Sequence, residues 1–164
     1  MTKIGLISDT HGFIDNRILD FFKEVNEIWH AGDIGSIEVF DTLSSFKNFK
    51  GVYGNIDGYD IRIRTSETLS FSCEEVKVIM THIGKQYVKY TKKLLPIIIK
   101  EKPQLVICGH SHILQIKYDK AMRFLFINPG AAGNYGIHKV KTVCRFIIDG
   151  KQIKDMEILE LSRK

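Results

Sequence analysis

The sequence predicts an α/β protein, a four-layer α-β-β-α sandwich of two mixed sheets. Its first third alternates short apolar runs with amphipathic segments, which is typical of parallel strands joined by crossover helices. From residue 114 onward the chain reads as consecutive short strands, which predicts hairpins in a second sheet. Two sheets packed face to face and covered outside by helices give this architecture. With 164 residues, 44% of them hydrophobic, the chain can form one domain over residues 1–164.

The opening of the chain predicts a βαβαβ unit. Strands and helices alternate in it, with strands expected at 3–8, 26–30 and 50–53 and helices at 15–24 and 36–46. Ser36 can cap the second helix. Parallel strands with crossover helices follow from this order.

The remainder of the chain predicts mainly strands. They are expected at 67–73, 76–81, 104–108, 114–119, 123–127, 142–148 and 152–160. A basic helix-like stretch covers residues 86–101, and Pro96 is expected to break it. A Gly-rich loop is expected at 130–136.

Charge, cysteine content and the start of the chain restrict the class of protein. The formal net charge of +5 favours an anionic substrate or nucleic acid only modestly. Cys73, Cys108 and Cys144 are odd in number, lack metal-type spacing and sit in apolar runs, which predicts buried free thiols. The chain starts directly with a strand, and its apolar stretches are too short to cross a membrane. We therefore expect a cytoplasmic protein.

The residues that carry chemistry lie in five short segments, each after an apolar run. They are Asp9-Thr10-His11, Gly32-Asp33, Gly54-Asn55, His82 and Gly109-His110-Ser111-His112. Because open α/β sheets bind ligands at the carboxyl ends of their strands, these segments are expected to meet. Three oxygen donors and four imidazoles suit two adjacent ions of manganese, iron, zinc or nickel rather than calcium or a thiolate-bound metal.

Each segment also has a simpler interpretation. The first fits a turn with a surface histidine, Asp33 fits a helix N-cap, and Asn55 fits a turn. The last pair of histidines fits a solvated loop. Metal binding is the preferred interpretation because all five segments occur together.

The ordered series DxH, GD, GN, H and GHxH resembles the calcineurin-like metallophosphoesterase superfamily, over nearly the whole chain. The short length and the Asn128-Pro129-Gly130 turn make it most similar to the small single-domain phosphodiesterases of the YfcE type, which share their fold with the retromer subunit. The resemblance implies two divalent metal ions, with Mn²⁺ expected and Ni²⁺, Fe²⁺ or Zn²⁺ as alternatives. It implies these ligands: Asp9, His11 and His112 for one ion, Asn55, His82 and His110 for the other, and Asp33 as the bridge.

The resemblance also implies a metal-dependent phosphodiesterase in which a hydroxide that bridges the ions attacks phosphorus in line with the leaving oxygen. Asp33, Asn55 and His82 would then be catalytic as well as ligating. Larger relatives carry a histidine directly after the GN pair, whereas this chain has Ile56 there, so the proton donor is open. Asp57 is the candidate acid, and a role in the turn is the alternative.

The expected substrate is a small phosphate ester, and two other functions stay as alternatives. Lysines and tyrosines interleaved over residues 85–93 predict a nuclease if they form a nucleic-acid surface, and otherwise a solvated helix face. The retromer subunit uses this fold as a protein-binding scaffold, but this sequence keeps all seven ligand positions. The apolar stretch 94–99 is either core or an interface between copies, so a homo-oligomer is open.

Three further features are given no ligand role. His30 is expected beside the site and His138 in a solvated loop. Residues 128–133 are expected either to reverse the chain or to bring backbone amides to a phosphate.

Overall fold

The computed structural model describes residues 1–163 and contains two five-stranded sheets with helices outside them. The first half of the chain forms β1 (Thr2–Ile7), α1 (Asn16–Phe21), β2 (Glu27–His30), α2 (Ile37–Phe46), β3 (Asn48–Gly51), α3 (Tyr59–Arg62), β4 (Thr68–Cys73) and β5 (Val76–Thr81). The second half forms β6 (Lys85–Gln86), β7 (Lys89–Tyr90), α4 (Leu94–Glu101), β8 (Leu105–Ile107), β9 (Leu114–Asp119), β10 (Phe124–Pro129), β11 (Val140–Asp149) and β12 (Gln152–Ser162).

Both large sheets are mixed. The first has the order β12-β11-β1-β2-β3, in which β1, β2 and β3 are parallel and β11 is antiparallel to β1. The second has the order β4-β5-β8-β10-β9, in which β5, β8 and β10 are parallel. The parallel strands of each sheet therefore end together at one edge.

Three apolar clusters separate four layers. The central cluster joins the two sheets and includes Trp29 from β2, Met80 from β5 and Phe146 from β11. A second cluster packs α1 and α2 on the outer face of the first sheet through Ile18 and Leu43. A third packs α4 on the second sheet. The predicted α-β-β-α sandwich of two mixed sheets is confirmed.

The basic stretch at 86–101 differs from the prediction. It begins with the small hairpin of β6 and β7, and the helix starts only at Leu94. Pro96 lies in the first turn of α4, where its missing N–H leaves no helical hydrogen bond unmade, so it does not break the helix. Leu94 and Ile98 are buried, while Ile99 is exposed, so α4 is amphipathic rather than wholly core.

Helix α3 differs from the sequence prediction, whereas the cysteines agree with it. Helix α3 is absent from the sequence prediction, because four residues are too few to show a helical period. The three cysteines are free and buried, as predicted. Across residues 1–163, none of the helices combines the length and the apolar character that crossing a bilayer requires.

Candidate metal centre

The seven predicted ligands lie where parallel strands end. Segments after β1, β2 and β3 of the first sheet carry the carboxylates, the amide and one histidine, and segments after β5 and β8 of the second sheet carry the other three histidines. Because the two sheets stack with these edges together, ligands from both sheets meet in one cluster. The carboxyl ends of strands are the usual ligand side of such sheets.

One group of donors contains Asp9, His11 and His112, whose ligand atoms all lie within 4.8 Å of one another. Asp9 Oδ1 lies 3.2 Å from His112 Nε2 and 3.6 Å from His11 Nε2. Asp9 Oδ1 and His11 Nε2 are buried without a hydrogen-bond partner. Buried polar atoms of this kind are costly unless a ligand satisfies them, so the residues fit a divalent cation.

The second group contains Asp33, His82 and His110, again with ligand atoms within 4.8 Å. Asn55 joins it, since its Oδ1 lies 3.1 Å from His82 Nε2. Asp33 Oδ2 lies 3.2 Å from His82 Nε2 and 3.5 Å from His11 Nε2, between the two groups. A carboxylate between two groups of candidate ligands fits the predicted role of a bridge.

Neighbouring groups orient these ligands. His82 Nδ1 lies 2.8 Å from the Ala31 carbonyl oxygen, so Nδ1 carries the proton and Nε2 keeps its lone pair toward the cluster. Asp9 Oδ2 accepts hydrogen bonds from Ser8 Oγ at 2.6 Å and from the His110 amide at 3.1 Å. The other oxygen of Asp9 is thereby left for the cluster. Ser8 was missed by the sequence analysis, and its place between a buried strand and Asp9 was the available signal.

The backbone of the ligands is strained. Among the described residues, ten non-glycine residues have positive φ angles, and half of them are predicted ligands. Those five are Asp9, His11, Asp33, His110 and His112, with φ between 48° and 69°. A left-handed backbone costs a non-glycine residue about 1 kcal/mol or more, and such costs collect at functional sites.

Two glycines allow the segments to approach closely. Gly32 has a φ of +99°, and a Cβ there would come within 2.6 Å of His82 Nδ1. A Cβ on Gly54 would overlap Asp33 Oδ1. The glycine in each pair therefore makes room for a ligand that comes from another strand.

Charge in the cluster shifts several protonation equilibria. Burial opposes ionisation of Asp9, but the adjacent imidazoles of His11 and His112 hold its pKa below the usual range. Burial likewise opposes protonation of His82, yet the negative charge of the adjacent Asp33 carboxylate raises its pKa. For His110, burial and the nearby His82 both lower the pKa.

His30 lies beside the site, as expected, and is fully buried. Its Nδ1 accepts a hydrogen bond from the Gly32 amide at 3.1 Å, and its Nε2 lies 2.9 Å from Thr10 Oγ1. The acceptor role of Nδ1 places the proton on Nε2, which donates to Thr10. Burial lowers the His30 pKa to about 3, so the ring is neutral and positions the backbone before Asp33.

Asp57 is placed differently from a catalytic acid. Its Oδ1 accepts from the Gly35 amide at 2.8 Å, and its Oδ2 accepts from the Ile34 amide at 3.1 Å and the Gly54 amide at 2.8 Å. The side chain is buried, and both oxygens hold together the loops that carry Asp33 and Asn55. This arrangement favours the turn role over the acid role.

Asn128 ties down the last ligand loop. Its Nδ2 donates to the Gly109 carbonyl at 2.9 Å and to Ser111 Oγ at 3.0 Å. Its Oδ1 accepts from the Gly130 amide at 3.0 Å. The sequence analysis placed Asn128 only in a turn and missed its link to the paired histidines.

The Gly-rich segment serves the fold rather than a phosphate. Amides of Ala132 and Gly133 donate to the backbone oxygens of Ser8 and Asp9, both at 3.0 Å. The amides of Ala132 and Gly133 are therefore not free to bind a phosphate, which favours chain reversal as the role of this segment. His138 is exposed, as expected for a loop histidine.

Comparisons with known proteins define the class. A sequence profile of the calcineurin-like phosphoesterase superfamily domain matches residues 2–151, and the chain belongs to that superfamily. It is 31% identical over 134 residues to a probable metallophosphoesterase of Methanothermobacter thermautotrophicus, covering 78% of this chain and 76% of the relative. Its family is thus one of metal-binding phosphoesterases.

Two solved structures are similar throughout. An archaeal phosphodiesterase aligns with a TM-score of 0.75 and 25% identity over 97% of this chain and 99% of its own. Vps29 of Entamoeba histolytica, solved in complex with Zn²⁺, aligns with a TM-score of 0.75 and 19% identity, covering 99% of both chains. The second likeness establishes the shared fold alone.

Proposed function

We propose that this protein is a divalent-metal-dependent phosphodiesterase that hydrolyses small phosphate diesters. The observation that carries the proposal is the pair of donor groups on either side of Asp33, with Asp9 Oδ1 and His11 Nε2 buried and unpartnered. The likeness to an archaeal phosphodiesterase supports a diester as the substrate. We propose Mn²⁺ as the ion and a cytoplasmic location, as expected from the sequence.

Asp9, His11 and His112 would hold one ion, and Asn55, His82 and His110 the other, with Asp33 shared. Two bound divalent ions would acidify a water and neutralise phosphate oxygens as water adds to phosphorus and the alcohol leaves. The chain's own residues fix the geometry of the site. The Ala31 carbonyl holds the His82 ring, and Ser8 holds the Asp9 carboxylate.

The side chain after Asn55 offers no proton to a leaving group. Ile56 is 48% exposed, and Asp57 is occupied with three backbone amides. We therefore propose that the enzyme works best on diesters whose leaving group departs without a proton, such as activated aryl diesters. This preference follows from the residues present near Asn55.

A small ester fits better than a polynucleotide. Of the lysines at 85–93, Lys85 lies over the Phe126 ring at 3.7 Å and Lys93 pairs with Glu67 at 2.6 Å. Two of the four lysines are thus already engaged by other groups of the protein, Lys93 through an ion pair at the surface. We propose a small phosphate ester as substrate rather than nucleic acid.

The first experiment measures hydrolysis of bis(4-nitrophenyl) phosphate by metal-stripped protein with Mn²⁺ added back. Turnover should require Mn²⁺ and should be lost in His110→Ala. His138→Ala, a change at an exposed loop histidine, is the matched control and should retain activity. Absence of turnover with every divalent ion tried would refute the enzyme and favour the scaffold alternative.

A further inference from the structure

A cavity of about 520 Å³ lies beside the candidate metal centre. Asn55 and His82 form its wall toward the centre, and Tyr53, Arg62 and Leu94 line other sides. Its volume falls within the range of small-molecule sites, so it can take a whole arm of a phosphodiester. The side chains that line the cavity determine which chemical group on that arm can bind there.

Arg62 is held in one orientation at this cavity. Its Nε donates to the Asp57 carbonyl at 2.6 Å, and its Nη2 donates to the Gly54 carbonyl at 3.3 Å. The guanidinium carbon lies 4.5 Å from the centre of the Tyr53 ring. These contacts fix the side chain against the loop that carries Asn55, although solvent still reaches it. A ligand would therefore find the guanidinium already ordered.

The charge of Arg62 is uncompensated. Within residues 1–163, the ion-paired arginines are Arg17 and Arg145, and Arg62 has no carboxylate partner. The other cation that lines the cavity, Lys93, is paired with Glu67, which lines it too. The Nη1 group of Arg62 donates to no acceptor in the described part of the chain. A fixed guanidinium with free N–H groups is a phosphate-binding geometry.

We propose that Arg62 binds a second phosphate group on one arm of the diester substrate and so selects diesters that carry an additional phosphate. The inference rests on the proposed function, since the first phosphate is the one hydrolysed at the metal centre. It goes further because it assigns a specificity-determining residue outside the ligand set. Asn55 and Arg62 line the same cavity, so one diester can contact both ends.

The test uses two substrates that differ by one phosphate, the 4-nitrophenyl ester of thymidine 5′-phosphate with and without a 3′-phosphate. For the Mn²⁺-loaded protein we expect kcat/KM to be about tenfold higher with the 3′-phosphate, as one charged hydrogen-bonding pair at a solvent-accessible site would give. Arg62→Gln should bring the ratio of the two values close to one. The ratio cancels any general damage that the substitution causes to the loop.

Arg64→Gln is the matched control. It removes the same charge two residues away, and Arg64 lines a different cavity. The control should keep the preference of the wild-type protein. A wild-type protein without the preference, or a preference that survives Arg62→Gln, would overturn the inference.

A binding measurement separates this inference from the proposed function. Thymidine 3′,5′-bisphosphate should bind the Mn²⁺-loaded wild-type protein about tenfold more tightly than thymidine 5′-phosphate by titration calorimetry, and Arg62→Gln should abolish that difference. If neither ester is hydrolysed but the binding difference depends on Arg62, the phosphodiesterase fails and the phosphate site stands. If both esters are hydrolysed equally and both nucleotides bind equally, the enzyme stands and the phosphate site is refuted.

Discussion

Asp57→Asn tests whether this carboxylate anchors two loops or acts as the acid. The carboxylate accepts three backbone hydrogen bonds, one at Oδ1 and two at Oδ2. An amide keeps a single acceptor oxygen, so at least one N–H would face an NH₂ group and the remaining bonds would lose their charge assistance. One lost and two weakened charged bonds cost about 3 kcal/mol. For a chain of this size, that lowers Tm by about 6–12 °C.

The assay is equilibrium urea unfolding of the metal-free protein, with Asp60→Asn as control. Asp60 is an exposed carboxylate in the same region, and its change should alter stability by less than about 0.5 kcal/mol. If Asp57 anchors the loops, Asp57→Asn should also lose the same fraction of activity on diesters with 4-nitrophenoxide and with phenoxide leaving groups. A variant as stable as the wild type that loses activity mainly on the phenoxide ester would refute the anchor and establish the acid.

Three more changes test the construction of the site. Gly54→Ala should weaken Mn²⁺ binding at least tenfold in equilibrium dialysis, because its Cβ would overlap Asp33, whereas Gly58→Ala has open space and should bind normally; equal affinities would show that the close approach is unnecessary. Asn128→Ala should weaken Mn²⁺ binding about tenfold through the loop of paired histidines, and unchanged affinity in the same dialysis would contradict that role. His30 has a native pKa of about 3 against about 6.5 in the unfolded chain, so the unfolded state takes up the proton first and stability falls as pH drops from about 6.5 toward 3. The unfolding free energy falls by about 2 kcal/mol by pH 5 from this cause. His30→Gln should remove that fall from a plot of unfolding free energy against pH. Parallel plots for the two proteins would show that His30 does not cause it.

The sequence predicted those parts of the protein that depend on local pattern. Alternating apolar runs marked the parallel strands, and the polar residues after them marked the segments that meet at the sheet edges. The stretch at 86–101 was predicted to be helical and broken at Pro96, because its lysines and tyrosines also fit an exposed helix face. In the structure, residues 85–90 pair as a hairpin instead.

The roles of Asp57 and Asn128 could not be predicted from the sequence, because they depend on tertiary hydrogen bonds. Asp57 reaches amides 22 and 23 residues away in the chain, and Asn128 reaches the carbonyl of a residue 19 positions earlier. No short-range pattern encodes such partners, since any buried polar side chain needs some partner and the sequence does not say which. Arg62 belongs to the same category, because only the fold shows that it lacks a carboxylate.

The division of the seven candidate ligands between two sheets has a consequence for the order of assembly. Each donor group combines side chains from both sheets, so a chain with only one sheet formed would hold an incomplete set for either ion. High-affinity binding then requires that the central apolar cluster has already brought the sheets together. Bound metal would consequently stabilise the docked sheets by mass action, and metal affinity would report on the docking of one sheet against the other. Metal binding would in this sense follow the docking of the two sheets.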